Sequence, residues 1–344
     1  MQGIQFQDVV WTGTRFVATA AADGAGMFLD SSDGSTWNRQ PGAIPDGYPR
    51  HLATGPNGVV AVGTFKESPA AWWSPDGFTW TLRPGAFPTP GLGTDLADVT
   101  SVLATDRGWL AVGRRDPTCM IDCGIEPVRA LAWTSTDGLH WKQVADQPSF
   151  NKAGMTGVAR LGSGFVAVGL AKGRAVIWTS PDGSTWTRVP DAPMFHPRST
   201  LGSGAYMQVS DVAVGHDVVV ALGMDGGGPG GDETSVRAWW SPDGRTWAKA
   251  TGERFLTGQV FSVVATPEGF LATGPSGADS CRGGIWGSAD GRAWRCLAAD
   301  PAFEGFAPYA AAASASVEVA VGFGPDPADS PEGNPGAAWW RPVP

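Results

Sequence analysis

Short apolar runs rich in valine, alanine, phenylalanine and tryptophan alternate with turn residues along the whole chain. No apolar period of 3.6 residues persists for a useful length, so long helices are not expected. One run recurs with little change, and its clearest form is VVAVG at Val59–Gly63. Its seven copies are Phe16–Ala20, Val59–Gly63, Trp109–Gly113, Phe165–Gly169, Val219–Gly223, Phe270–Gly274 and Glu318–Gly322. This pattern predicts an all-β protein that is built from a repeated strand.

A second element follows these runs and has the frame S-x-D-G-x-x-W, with Trp178–Trp186 as its cleanest copy. The other full copies are Leu29–Trp37, Trp72–Trp80, Trp133–Trp141, Trp239–Trp247 and Trp286–Trp294. Serine, aspartate and glycine at these positions are typical of a type I turn closed by a glycine bulge. We call this element the Asp-Gly turn and expect its tryptophan to fold back over the hairpin. A seventh copy begins at Trp339-Trp340, and the sequence ends at Pro344 before the Asp-Gly pair.

The spacing of the Asp-Gly turns, about 40 to 60 residues, is typical of a four-stranded propeller blade. Each repeat would supply an inner strand A, then strands B, C and D. Seven blades are expected near residues 4–40, 51–83, 97–145, 155–190, 209–251, 259–298 and 309–344, within a single β-propeller domain over residues 1–344. A strand near Gln2–Gln5 would complete the last blade and remove its open edge.

The six Asp-Gly turns resemble the Asp-box (BNR) repeats of sialidase-like seven-bladed β-propellers, in the form found in bacterial, secreted proteins. The matching aspartates are Asp33, Asp76, Asp137, Asp182, Asp243 and Asp290. The resemblance implies that these aspartates are structural and that the turns lie on the C–D connections, opposite the ligand site. The family includes glycosidases, lyases, assembly factors and binding proteins, so the fold does not specify a function.

Net charge and cysteine content limit the classes of protein to which this chain could belong. The formal net charge is −9, and no cluster of lysine and arginine is present, so nucleic-acid binding is not expected. No apolar run reaches the length of a membrane span. No signal peptide is visible at Met1, which is compatible with a leader removed ahead of it. Two local disulfides, Cys119–Cys123 and Cys281–Cys296, would place the protein outside the cell or in its envelope. The alternative is four free thiols. A monomer is expected.

The face opposite the Asp-Gly turns, which we call the top face, carries the B–C and D–A connections. The longest of these are Arg114–Arg129, Met224–Arg237, Pro84–Ala97 and Pro190–Ser210. Because variable loops commonly carry binding sites, a ligand site is expected there. The rare residues Tyr48, His196, Tyr206 and Tyr309 fall in the same segments and are candidate ligand-binding residues.

Alignment of the repeats gives a second set of candidates. The position eight residues before the first residue of each B strand is occupied by Asp8, His51, Ser101, Gly157, Asp211, Ser262 and Ala310. We call this position the ring column, because it would surround the channel mouth. Its ionisable members are candidate catalytic groups, namely Asp8, His51 and Asp211. Ser101, Ser262 and the neighbouring Arg50 and Tyr309 are candidate ligand-binding residues.

Three interpretations of the ring column remain open. It could simply surround channel water, form a pocket for a glycan or another small ligand, or carry out acid–base catalysis. The leading hypothesis is an extracytoplasmic propeller that binds a glycan, peptide or protein on its top face. The alternatives are a glycoside hydrolase or lyase, and an assembly scaffold. Sialidase activity is not expected, because no Arg-Ile-Pro start motif and no assignable Tyr–Glu pair is present. No motif indicates a metal or cofactor site.

Overall fold

A computed structural model of the chain describes residues 3–89, 97–115, 129–197, 206–226, 235–252, 259–275, 281–298, 303–324 and 335–343. Its strands form seven sheets. The first contains β1 (Gln5–Trp11), β2 (Phe16–Ala22), β3 (Ala25–Ser31), β4 (Asn38–Arg39) and β5 (Ile44–Pro45). The second contains β6 (Gly47–Gly55), β7 (Gly58–Phe65), β8 (Ser68–Ser74) and β9 (Thr81–Pro84). The third contains β10 (Ala97–Thr105), β11 (Gly108–Arg115), β12 (Arg129–Ser135) and β13 (Trp141–Gln143).

The fourth sheet contains β14 (Gly154–Leu161), β15 (Gly164–Ala171), β16 (Arg174–Ser180) and β17 (Thr187–Arg188). The fifth contains β18 (Tyr206–Gly215), β19 (Val218–Gly226), β20 (Ser235–Ser241) and β21 (Ala248–Lys249). The sixth contains β22 (Thr251–Gly252), β23 (Ser262–Thr266), β24 (Gly269–Thr273), β25 (Ile285–Ser288) and β26 (Ala293–Cys296). The seventh contains β27 (Ala307–Ala313), β28 (Val317–Phe323) and β29 (Gly336–Pro342). Two single 3₁₀ turns lie at Pro148–Phe150 and Pro193–Phe195.

The A, B, C and, where present, D strands of each sheet pair antiparallel in chain order, while β5 pairs with β3 and β22 with β26. The innermost strand of each sheet contacts that of the next. Strand β1 also contacts β27, which closes the ring. The fold is therefore a seven-bladed β-propeller of four-stranded antiparallel blades, as the repeats predict. The antiparallel order places the A–B and C–D turns on one face and the other connections on the top face.

The predicted closing strand near Gln2–Gln5 is wrong where the structure describes it. Gln5 begins β1 and pairs with Ala21 of β2, so it belongs to the first sheet. The register is set by the apolar side chains of β1, among which Phe6 and Val9 are buried in the joint between the first and seventh sheets. In the described parts of the chain, the seventh sheet has three strands, and its outer strand is β29.

Hydrogen bonds within the Asp-Gly turns explain why the sequence folds into hairpins here. In the fifth sheet, the carboxylate of Asp243 accepts the amides of Arg245 and Thr246 at 2.8 and 2.6 Å. The hydroxyl of Ser241 accepts the amide of Gly244 at 2.8 Å, and Trp247 Nε1 donates to the Gly244 carbonyl at 3.0 Å. The six turn glycines have φ between 72° and 80°, the left-handed region that favours glycine.

Each Asp-Gly turn packs against the sheet that precedes it. A Cβ placed on Gly291 of the sixth sheet would lie 2.3 Å from Val220 of the fifth, so only glycine fits this close approach. The turn tryptophans lie in the apolar clusters that join adjacent sheets. These tryptophans are Trp37, Trp80, Trp141, Trp186, Trp247 and Trp294. Six of the seven joints between blades are thus closed by a tryptophan from the following sheet.

The structure contains the disulfide predicted between Cys281 and Cys296. It links the segment before β25 to β26, within the sixth sheet. The other predicted pair, Cys119 and Cys123, lies outside the described residues. No helix in the described chain is long and apolar enough to cross a bilayer.

Candidate functional site

The innermost strands of six sheets share a register irregularity at one level. It falls between Phe6 and Asp8 in the first sheet and between Pro49 and His51 in the second. Equivalent shifts occur in β10, β14, β18 and β27. In each case an extra residue is inserted directly before the ring column, as in a β-bulge. The column predicted from the repeats therefore follows a recurrent backbone feature.

The two aspartates of the ring column bind backbone amides of their own and the next sheet. Asp8 accepts the amides of Val9 at 2.8 Å and of Leu52, in the second sheet, at 2.7 Å. Asp211 accepts the amides of Val212 at 2.8 Å and of Val263, in the sixth sheet, at 3.0 Å. The channel-side edge of an innermost strand has no strand partner, so its amides need such acceptors. Both carboxyl groups thus join neighbouring blades.

Threonine hydroxyls make the complementary bonds to free carbonyls. Thr100 Oγ1 donates to the Met155 carbonyl at 2.9 Å, which joins the third sheet to the fourth. Thr156 Oγ1 donates to the Val209 carbonyl at 2.6 Å, which joins the fourth sheet to the fifth. Both threonines occupy the inserted position of the bulge. The upper part of the channel is therefore lined by polar groups that hold the sheets together.

Burial shifts the pKa values of the ionisable ring-column residues. Desolvation raises the pKa of Asp8 to about 7 and that of Asp211 to about 6, although the amide bonds act in the opposite direction. The charge of Asp211 also contributes to the raised pKa of Asp8, so the two carboxyl groups sense each other. Desolvation lowers the pKa of His51 to about 4, with a smaller opposing effect of Asp98. His51 is therefore neutral at pH 7.

Three residues next to the ring column present groups suited to a ligand. Arg50 is exposed at the inserted position of β6. Tyr309, at the inserted position of β27, packs on Phe261 with ring centroids 4.8 Å apart and on Phe323 at 4.9 Å. Phe261 directly precedes Ser262 and is half-buried, and sequence reasoning missed it. Extending the alignment by one position would have identified it together with Arg50 and Tyr309.

The other predicted binding residues lie apart from the ring column. The Tyr48 hydroxyl donates to the Gly24 carbonyl at 2.8 Å, between the first and second sheets. His196 lies 2.9 Å from Asp191, which also pairs with Arg174 at 3.3 Å. Tyr206 begins β18 and is 37% exposed. Tyr48 thus lies on β6, His196 directly after the second 3₁₀ turn and Tyr206 on β18.

The serines of the ring column have different surroundings. Ser262 donates a side-chain hydrogen bond to Asp211, which lowers the pKa of that carboxyl group and partly offsets burial. Ser101 is half-buried on β10.

Parts of the four long connections lie outside the described residues. Within the described chain, no group of three His, Cys, Asp or Glu side chains is placed to hold a metal ion.

The carboxyl groups of Asp8 and Asp211 already hold neighbouring blades together. Each oxygen of Asp8 and Asp211 accepts a backbone amide. A general acid or nucleophile must in addition reach the substrate with a proton or lone pair that these bonds leave available. Fold and site together define a seven-bladed β-propeller with a structural polar ring inside its channel and a cation and aromatic rings beside it.

Comparisons with known proteins support the fold. No protein-family model and no curated protein matches the chain. The structure of YCF48 bound to D1 peptide is similar with a TM-score of 0.58 at 15% identity, over 100% of this chain and 94% of that chain. Apo AztD from Citrobacter koseri has a TM-score of 0.50 at 13% identity, over 93% and 80%. Trypanosoma rangeli sialidase has a TM-score of 0.48 at 15% identity, over 78% and 51%. At such identities the likeness concerns the fold alone.

Proposed function

We propose that this protein is an extracytoplasmic β-propeller that binds a polypeptide or glycan partner on its top face and does not transform it. The observation that carries the proposal is the engagement of both oxygens of Asp8 and Asp211 by backbone amides. Among the described residues, Arg50, Tyr309 and Phe261 lie next to the ring column and can meet a partner. Aromatic rings suit both sugar rings and apolar peptide side chains, and an exposed cation suits an anionic group of either kind of partner.

Two further observations support parts of the proposal. The Cys281–Cys296 disulfide is typical of an oxidising compartment, which favours secretion or attachment to the cell envelope. Among structures of similar fold, YCF48 was determined with a bound peptide, which makes peptides a natural first class of ligand to test. Non-reducing mass spectrometry of protein from the native host would test the disulfide and, with cell fractionation, the compartment.

The binding proposal can be tested by screening the intact protein against glycan and peptide arrays. Affinities of the hits would then be measured by calorimetry for Arg50→Ala and Tyr309→Leu. Each variant is expected to weaken binding at least tenfold, as expected for a contact at the centre of an interface. Matched controls are Arg245→Ala and Phe78→Ala, because both residues are exposed on Asp-Gly turns of the opposite face. Hits that respond only to the control variants would overturn the proposal.

A glycoside hydrolase is the second candidate, and the raised pKa values of Asp8 and Asp211 favour it. A carboxyl group with a pKa of about 6 to 7 can act as a general acid near neutral pH. Turnover of chromogenic glycosides that is lost in both Asp8→Asn and Asp211→Asn, with the fold retained, would establish this candidate. The same result would reject the binding-only proposal.

A further inference from the structure

The residues inserted directly before the ring column differ in size and chemistry around the channel mouth. In six sheets the pairing of the inner strand with its neighbour skips one residue at this level. The skipped residues are Gln7, Arg50, Thr100, Thr156, Ser210 and Tyr309. Phe261 holds the same position of the alignment in the sixth sheet, directly before Ser262. These residues form a second ring next to the ring column.

The third, fourth and fifth sheets carry small hydroxyl residues in this second ring. Thr100 and Thr156 donate to carbonyls of the following sheets at 2.9 and 2.6 Å. Their hydroxyls also lie 3.3 and 3.2 Å from the carbonyls of Val112 and Val168 in their own sheets. The hydroxyl of Ser210 is buried. The polar groups of both threonines are thus used within the protein, and none of these three side chains reaches far from the backbone.

The remaining sheets carry long side chains in the second ring. We call these four residues the open half, namely Phe261, Tyr309, Gln7 and Arg50. Contacts between the inner strands place their sheets, the sixth, seventh, first and second, side by side in that order. Neither the Gln7 amide nor the Arg50 guanidinium is engaged in a side-chain hydrogen bond or ion pair within the part of the chain that the structure describes. Both groups can therefore meet a ligand.

One end of the open half is aromatic. Tyr309 packs on Phe261 of the preceding sheet, with ring centroids 4.8 Å apart, and on Phe323 of its own sheet at 4.9 Å. All three residues are half-buried, so each keeps part of its surface exposed. Partly exposed aromatic rings that already pack together favour a further ring or an apolar side chain from a ligand.

The other end of the open half is cationic. Arg50 is exposed. The carboxylate of Asp98, which acts electrostatically on the neighbouring His51, is paired with Arg114 at 3.2 Å. The guanidinium of Arg50 presents a planar fork of N–H groups that fits a carboxylate, and the Gln7 amide on the adjacent sheet adds a donor. This end therefore suits an anionic group.

The two ends lie around the same channel mouth. Asp8 and Asp211 of the ring column belong to the first and fifth sheets, and their carboxyl groups interact electrostatically. The sixth and seventh sheets separate that pair, whereas only the first sheet separates Tyr309 from Arg50. Because the inserted residues directly precede the ring column, one short segment of a ligand can contact both ends.

The donors and acceptors of the open half favour a peptide over a glycan. Within the open half, only the Gln7 side-chain carbonyl and the Tyr309 hydroxyl can accept a hydrogen bond. A sugar ring presents several hydroxyl donors, whereas an aromatic side chain such as that of phenylalanine presents none. The Gln7 carbonyl can accept one peptide amide, while the Gln7 amide and the Arg50 guanidinium donate to an anion.

We infer that the open half binds a peptide segment in which an aromatic side chain lies next to a carboxylate. The aromatic side chain packs on Tyr309 and Phe261, and the carboxylate accepts hydrogen bonds from Arg50. An acidic side chain or the C-terminus of the partner can supply the carboxylate, since both present the same two oxygens. This inference rests on the proposed function, because it names the ligand of the same site.

Calorimetry with the intact protein and short peptides of glycine and serine background would test the inference. One probe contains phenylalanine followed by aspartate and is blocked at both ends. The other is blocked at its N-terminus and ends in phenylalanine with a free carboxylate. Replacing the aspartate by asparagine, or amidating the C-terminus of the second probe, is expected to weaken binding about fivefold. Replacing phenylalanine by alanine is expected to weaken it about tenfold. The probe that binds more tightly identifies the source of the carboxylate.

Variants of the protein assign each part of the ligand to its residue. In Arg50→Gln, the charged and neutral peptides are expected to bind equally. In Tyr309→Ala, the phenylalanine and alanine peptides are expected to bind equally. The matched control is Arg245→Gln, an exposed position on the opposite face, which should keep both differences. Higher ionic strength should reduce the advantage of the charged peptides in the unaltered protein.

Two results with the unaltered protein would overturn the inference, whatever the variants do. One is equal binding of charged and neutral peptides, or of phenylalanine and alanine peptides. The other is no binding of either probe at millimolar concentration. If glycans or other peptides on the arrays still bound in a manner that depends on Arg50, the proposed function would stand and only this choice of ligand would fail. If the arrays gave no hits either, both would fail.

Discussion

Two sets of aspartates in this propeller bind backbone amides and yet have opposite pKa shifts. The Asp-Gly turn aspartates lie at the surface, where the amides of Thr36 and Ser35 lower the pKa of Asp33 to about 2. The ring-column aspartates lie inside the channel, where burial raises the pKa of Asp8 to about 7. Water solvates the first set well, so hydrogen bonds dominate, whereas desolvation dominates in the second. The surroundings of a carboxyl group, rather than its partners alone, determine its ionisation.

The largest expected effect concerns the turn aspartates. Asp243→Ala removes the acceptor for two amides and should lower the free energy of unfolding by about 2–3 kcal/mol at pH 7. Because those amides lower the pKa of Asp243, this contribution is present above the unfolded pKa and is lost as the pH falls through the folded value. Denaturant unfolding at pH 7 and pH 2.5 would measure both effects. Asp106→Ala, which removes only an exposed ion pair with Arg160, should have a much smaller effect on the free energy of unfolding than Asp243→Ala.

The ring-column aspartates should give the opposite dependence on pH. A raised folded pKa means that the contribution of Asp8 is complete below its unfolded pKa of about 4 and is lost as the pH rises to about 7. In Asp8→Asn this loss, about 2 kcal/mol because the half-buried carboxyl group keeps part of its solvation, should disappear. The test is the difference in unfolding free energy between variant and parent from pH 4 to pH 8. A difference that is constant across this range would contradict the assignment.

A smaller effect is expected where a ring hydroxyl joins two sheets. Thr156→Val removes the hydrogen bond to the Val209 carbonyl and should lower the free energy of unfolding by about 1 kcal/mol. Thr54→Val, at an exposed position of β6, is the matched control. Hydrogen exchange of amides in β14 and β18 should become faster in Thr156→Val alone. Equal effects of the two substitutions would mean that the hydroxyl does not hold the blades together.

The smallest expected signal is the ionisation of His51. Because burial lowers its pKa to about 4, its ring should stay neutral from pH 8 down to about pH 5. Its contribution to stability is present above the unfolded pKa and lost as the pH falls through the folded value, opposite in direction to that of Asp8. Proton NMR of the imidazole, assigned with His51→Gln, would follow this titration. A midpoint near 6.5 would show that the channel is well solvated at this residue.

The repeated parts of the molecule could be predicted from the sequence because local turn chemistry determines them. The frame around Asp243 encodes its hairpin in nine consecutive residues, and six copies set the number and order of the blades. The ring column followed from the same alignment. The partners of Asp8 could not be predicted, since Leu52 is brought close only by ring closure. Likewise, the parallel pairing of β22 with β26 depends on tertiary contacts rather than local pattern.

The prediction for the last blade failed for a physical reason. Gln2–Gln5 was assigned to an outer strand from an argument about unpaired edges, which says that an edge needs cover but not what covers it. The apolar side chains of Phe6 and Val9 fix β1 as an innermost strand, and Gln5 follows them into it. For the candidate site, residue type and alignment indicate Arg50 and Tyr309, whereas Phe261 is distinguished from the other aromatic residues only by its contact with Tyr309 in the fold.

The direction in which the blades overlap has a consequence for the lifetime of the folded ring. Each Asp-Gly turn packs against the sheet that precedes it in the ring. Opening most joints must therefore pull a tryptophan out of an apolar cluster, which slows the opening. The rate at which the ring opens at these joints is therefore expected to depend on the release of the turn tryptophans.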